Sequence, residues 1–183
     1  MHIDRKPSTV MTVIDRIYHP IAQNLGVSLL LRNEIDKEIQ FPPIFFISLI
    51  QITGNLVANA IKFTSSNGFV DVLFRMNAIE DQCTLKINVS DTGEIISPDL
   101  VSAFNKDKKV AKLIEKDMKK YFGSRLEYVM QLISEVDGRI FVESREDSGT
   151  TFSLTLPLQD NYLNRKIEFQ PVVKNDAVQL NGS

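Results

Sequence analysis

Asn55, Asn59 and Lys62 have the types and the spacing to act together on a polar ligand, and they sit in the stretch SLIQITGNLVANAIKFT at residues 48–64. On a helix, at roughly 100° per residue, Ser48 and Gln51 join them in one polar stripe only about 80° wide. The other positions are almost all apolar: Leu49, Ile50, Ile52, Leu56, Val57, Ala58, Ala60, Ile61 and Phe63. A helix so apolar must be largely buried, and buried amides and ammonium groups are costly unless they are paired. The stripe therefore caps neighbouring backbone, lines a polar cavity, or is an ordinary solvent face.

The segments around this helix say what holds it. After Pro7, Ser8 or Thr9 is placed to cap a first helix, in which Val10, Val13, Ile14, Ile17, Ile21 and Leu25 recur at helical spacing until Gly26 ends it. VSLLLR and the short EIQF read as strands, and Pro42-Pro43 bars a helix until about Ile44. Asn67-Gly68 turns the chain into VDVLFRM. CTLKINVS then alternates, with Cys83, Leu85, Ile87 and Val89 inward and Thr84, Lys86, Asn88 and Ser90 outward. RIFVES and TFSLTLP repeat the pattern, with Ile140, Val142, Phe152, Leu154 and Leu156 as core candidates. Apolar helices and half-polar strands together predict an α/β two-layer sandwich, with helices packed on one face of a mixed, mostly antiparallel sheet.

With 183 residues, 43% hydrophobic and 24% charged, the chain can bury one sizeable core. A net charge of -2 and the lack of a basic stripe argue against nucleic acid as a partner. The single Cys83 falls in an alternating strand and reads as a reduced core residue. No run reaches the ~18 apolar residues that span a bilayer, and no signal-peptide pattern opens the chain. The expectation is a cytoplasmic domain without membrane contact of its own, whether or not it is the cytoplasmic end of a membrane-bound sensor.

NLVANAIKFT is similar to the N box of the Bergerat-type ATP-binding domain, as found in the catalytic domain of two-component sensor histidine kinases. VSDTGEIISPDL at 89–100 resembles the first glycine box, usually DTGxGI. SGTTFSLTLPL at 148–158 resembles the closing strand, and LEYVMQLISEVDGRIFVES the helix and strand that follow the lid. The resemblance covers residues 8–158, with 1–7 as the end of a linker, 105–122 as the lid region and 159–183 as a tail. It implies the same sandwich fold and Mg-ATP as ligand. It places Asn59 on the magnesium, Asn55 beside it, Lys62 toward the phosphates, Phe63 against the adenine, and Asp91 with Gly93 at the adenine amino group. Thr150, Gly123 and Arg125 complete the implied nucleotide-binding set. An amide oxygen is a hard ligand suited to magnesium, and a lysine holds phosphate as a point charge.

The sequence also departs from that family. Ile95 stands where the second glycine of the first box belongs, and a β-branched residue would be strained at positive φ, so the loop is expected to take another path. Where the family reads GLGL, this chain reads Gly123, Ser124, Arg125, Leu126. Arg125 either obstructs the backbone's approach to phosphate or grips phosphate oxygens itself. The lid stretch at 105–122 carries seven lysines in 18 residues and no glycine; Val110, Leu113, Ile114, Met118 and Tyr121 fall at helical spacing. It reads as an amphipathic helix whose lysines either attract an anion or form a solvated face.

Neither histidine has the surroundings of the family's phosphoacceptor, since His2 precedes Ile3 and His19 precedes Pro20. The chain holds no acceptor, so it is not expected to autophosphorylate alone, and no Cys/His cluster suggests zinc. The leading reading is the ATP-binding catalytic domain of a sensor histidine kinase, placing Mg-ATP for transfer to a histidine on a separate dimerisation domain. Its partners would be that phosphoacceptor domain and a response regulator. The rivals are a degenerate docking module that has lost its nucleotide and a regulatory kinase of the anti-sigma type. The replaced glycines predict weakened or absent ATP binding.

Overall fold

The computed structural model describes residues 4–35, 39–79, 82–106 and 126–158. Helix α1 (Pro7–Asn24) leads into strand β1 (Ser28–Asn33), and helix α2 (Pro43–Phe63) into strands β2 (Phe69–Ile79) and β3 (Gln82–Asp91). Helices α3 (Pro98–Lys106) and α4 (Leu126–Glu135) and strands β4 (Arg139–Arg145) and β5 (Gly149–Leu158) follow. The five strands form one sheet in the order β1-β2-β3-β5-β4. β1 and β2 are parallel, and every other pair is antiparallel. This is the mixed two-layer sandwich that the alternation predicted.

The inward column of β3 is Cys83, Leu85, Ile87 and Val89, and all are buried. Val70, Val72 and Phe74 of β2 lie beside it, and Phe152, Leu154 and Leu156 of β5 flank it on the other side. Against this face α2 buries Phe45, Phe46, Leu49, Ile52, Leu56, Val57, Ala60 and Ile61. At 21 residues and mean hydropathy 1.7, α2 is long and apolar enough to cross a bilayer, contrary to the expectation from the sequence. It is instead the central core helix, because two apolar layers are there to receive it.

Three expectations need correction. Lys6, not Ser8 or Thr9, precedes the first turn of α1; Pro7 occupies its start, where a residue without N–H loses nothing. The sequence EIQF yields only an isolated bridge at Ile39, with 36–38 outside the described residues. Along α1, Val10 and Ile14 are buried as expected, but Ile17, Ile21 and Leu25 are 49%, 45% and 52% exposed. Their place is taken by Tyr18 and Ala22, because a helix crossing its neighbour at an angle drifts off a single stripe.

Candidate functional site

The apolar inward face turns polar at one end. Counting by twos along β3 from Val89 brings Asp91 inward, and counting back along β5 from Phe152 brings Thr150 inward. Register sets Asp91 opposite Thr150, and Thr150 opposite Ser144 of β4. Asp91 is 4% exposed and Thr150 2%. A carboxylate so placed must be satisfied from nearby, and the backbone N–H of Gly93 donates to Asp91 Oδ1 at 2.9 Å while that of Thr150 donates to the same carboxyl. Burial outweighs these bonds and pushes Asp91 up to about 6.

The loop after β3 is pinned from three sides. Phe63 O, at the C-terminal end of α2, accepts the Glu94 N–H at 3.1 Å. A side chain at Gly93 would begin 2.3 Å from that same carbonyl oxygen, so only glycine lets the loop lie against the helix end. Ser144 Oγ accepts the Ile96 N–H at 2.8 Å and shares a 2.8 Å hydroxyl contact with Thr150 Oγ1. Below them Gly149, at φ +72°, approaches Asp91 so closely that a Cβ would fall 1.9 Å from its carbonyl oxygen. Among described non-glycine residues only Asn67 and Asp137 have positive φ, so Ile95 is accommodated by a loop path that does not need the missing glycine.

Asn59, Phe63, Asp91 and Thr150 line one small hollow of about 10 Å³ with Ala60, Glu94, Ile96 and Phe152. That is room for about one water. Asn55 and Lys62 stand apart from it. Asn55 Nδ2 donates to Gln51 O one turn back at 2.7 Å, and Lys62 is exposed with Nζ 4.8 Å from the centre of the Phe63 ring. Gly123 and Arg125, with the lysine-rich stretch from 107 onward, lie outside the described residues. Asn105, expected at the start of the lid, belongs to the last turn of α3. Its side chain accepts the Val142 N–H at 3.0 Å and donates to Val142 O at 2.8 Å.

Ser144, Ile96, Glu94 and Asn105 were not legible as site or supporting residues. Helix α3 was missed in the sequence, although Ser97-Pro98-Asp99 carries a start signal, with a serine before proline and an acid in the first turn. Among the described residues no group of three or more His, Cys, Asp or Glu could hold a metal. His19 is a surface imidazole 3.2 Å from Asp15, and His2 lies outside the described residues.

The fold is shared with solved histidine kinase catalytic domains. The catalytic domain of ThkA superposes with a TM-score of 0.56 at 18% identity over 83% of this chain and 93% of that one. Full-length ShkA, solved in complex with AMPPNP, gives 0.60 at 22% identity over 81% of this chain and 29% of that one. In sequence, residues 46–160 match the family described as histidine kinase-, DNA gyrase B-, and HSP90-like ATPase. The chain belongs to this family, and within it to the ATP-binding catalytic domains of sensor histidine kinases. It is 34% identical to the autoinducer 2 sensor kinase/phosphatase LuxQ of Vibrio parahaemolyticus over 82% of its own length and 18% of that relative's. It is 29% identical to the sensor histidine kinase RcsC of Escherichia coli over 83% of its length and 15% of the relative's. The chain thus spans less than a fifth of these relatives.

Proposed function

We propose that this domain holds Mg-ATP in the hollow at the polar end of the sheet and presents the γ-phosphate to a histidine on a separate dimerisation domain. The observation that carries this is the buried Asp91 carboxyl, held by the N–H groups of Gly93 and Thr150 among Asn59, Phe63 and Ile96. A desolvated acceptor beside an apolar wall suits the amino edge and the flat face of a purine. Asn59 offers an amide oxygen to magnesium, an ion that typically takes few protein ligands and completes its shell with phosphates and water. The donor set therefore fits a nucleotide-borne ion. The bond from Asn55 to Gln51 uses the amide nitrogen, so the oxygen is the atom it offers a ligand. Lys62 is free of the interior and supplies charge to the phosphates, with Gly123 and Arg125 completing the set. The bound magnesium would neutralise charge on the phosphates, the chain's part being placement.

Nucleotide affinity is reduced in this reading. The hollow must widen to admit a purine, and Ile95 replaces a backbone that could approach phosphate, each lost contact being worth roughly 1 kcal/mol or more. The domain runs from about 8 to 158 in the cytoplasm, and the receiver of the phosphoryl group passes it on to a response regulator. Calorimetric titration with a non-hydrolysable ATP analogue and magnesium, on the natural chain and on Asp91→Asn, tests this. Heat with a weak, magnesium-dependent Kd that vanishes in the variant is expected; no heat from the natural chain up to millimolar nucleotide would reject it in favour of a docking module. The chain alone should gain no acid-labile phosphate from ATP.

A further inference from the structure

Among the described residues no strand pairs with the outer edge of β1. Ser28 N–H donates to Gly68 O at 3.0 Å and Glu34 N–H to Phe74 O at 2.9 Å, so the even-numbered residues of β1 face β2. The N–H and C=O groups of Leu29, Leu31 and Asn33 therefore face the outer edge, while their side chains face the helices. Leu29 and Leu31 are only half-buried, although Val70 and Val72 beside them are fully buried. Between this edge and α1 runs a groove of about 400 Å³, lined among others by Met11, Thr12, Asp15, His19, Leu29 and Leu31. A free strand edge beside a helix, with half-buried leucines between them, has the makings of a site for one added extended strand.

We propose that the occupant is this chain's own segment at 167–170, Ile167-Glu168-Phe169-Gln170, added antiparallel to β1. That segment lies outside the described residues, and its part here rests on sequence and reach. It alternates apolar and polar residues and ends at Pro171, which cannot donate to a ladder. Residues paired directly across a ladder share a face, so Ile167 opposite Asn33 and Phe169 opposite Leu31 puts both apolar side chains into the groove.

Reach admits this register. Leu154 is level with Ile87, Ile87 with Phe74 and Phe74 with Asn33, so the end of β5 at Leu158 lies four residues, about 13 Å, past Asn33. Four strand spacings of about 4.8 Å separate β5 from a strand outside β1, giving a direct span of about 23 Å. Residues 159–166 cover about 26–29 Å when extended. Placing Ile167 two residues deeper, opposite Leu31, would lengthen the direct span to about 28 Å and take residues 159–166 to their limit. The direct route crosses the bare sheet face over a furrow lined by Arg75, Asn77, Lys86, Asn88 and Thr155, a polar surface suited to Gln159-Asp160-Asn161. The consequence is positional: whatever follows Pro171 leaves the domain at the Ser28 end of β1, level with Val70, Asp91 and Thr150.

Amide hydrogen exchange on the full chain tests this. The Leu31 and Asn33 amides should exchange at least ten-fold faster in I167E/F169E than in the natural chain, and unchanged in V172E/V173E. Equal rates in the natural chain and I167E/F169E overturn the proposal. So does protection that grows with protein concentration, which marks pairing between copies. If the central Leu85 and Ile87 amides also speed up, disulfide formation decides: Leu31→Cys/Phe169→Cys should close within one molecule under mild oxidation, and Leu31→Cys/Val173→Cys should not. No closure, or equal closure in both, overturns it.

Discussion

The two edges of the sheet are treated in opposite ways. At β4, Asn105 bonds both backbone groups of Val142 as a neighbouring strand would, and Ser144 ties the edge to the Ile96 amide. At β1, Leu29, Leu31 and Asn33 turn their backbone groups outward beside an open groove. One row of residues joins these edges, from Leu29 through Val70, Asp91 and Thr150 to Ser144. It is half-buried and apolar at the open edge and a continuous hydrogen-bonded network at the closed one. Side-chain bonds to backbone thus fix β4 and the loop after β3 at the closed edge, while among the described residues the far edge has no such partner.

The sharpest break of that contrast is at the closed side. Gly149→Ala sets a side chain on a left-handed residue against the Asp91 carbonyl, and a loss of about 3–5 kcal/mol is expected in urea denaturation. Leu30→Ala, on the exposed face of β1, should stay within about 0.5 kcal/mol. A comparable loss at both would erase the difference between the edges. Asn105→Ala leaves two strand groups without their partner and should cost about 2–3 kcal/mol. Asn105→Asp, which keeps the acceptor for Val142 N–H but not the donor, should cost nearly as much.

The middle of the row is expected to behave differently again. Folding raises Asp91 from 3.8 to about 6, so the folded domain holds that proton more tightly than the unfolded chain. The favourable contribution is complete below pH ~4 and is lost as pH rises through about 6. Asp91→Asn removes the cost of the buried charge and one acceptor, for a net gain of about 1–2 kcal/mol at pH 8 that disappears below pH ~4. A variant less stable than the natural chain at pH 8 would show the carboxylate to be structural. The smallest effect belongs to the bare face near the open edge. Arg32 pairs with Asp71 at the surface, so Arg32→Ala should leave the melting temperature nearly unchanged at about 0.15 M salt.

The site residues were named from the family resemblance, and periodicity agrees with two of them. The two-residue step that buries Cys83 to Val89 also carries Asp91 inside, and the three-to-four-residue step along α2 carries Asn59 toward the same end. The supporting bonds were not legible, because Ser144 and Asn105 act on backbone far away in sequence: Ser144 reaches back 48 residues to Ile96 and Asn105 reaches ahead 37 to Val142. A hydroxyl on a strand or an amide at a helix end carries no local mark of such a partner. Ile17, Ile21 and Leu25 failed for a related reason, since spacing defines a helix face but not how far a neighbour extends along it.

Sequence by itself determined which residues alternate and where the two long apolar helices run, because these follow from backbone geometry within a few residues. Tertiary structure alone decided the sheet order, the choice of Tyr18 and Ala22 over Ile17 and Ile21, the raised Asp91 carboxyl and the different fates of the two edges. Each of those depends on what a distant segment places against the residue, and burial and pairing are properties of that neighbour as much as of the residue itself.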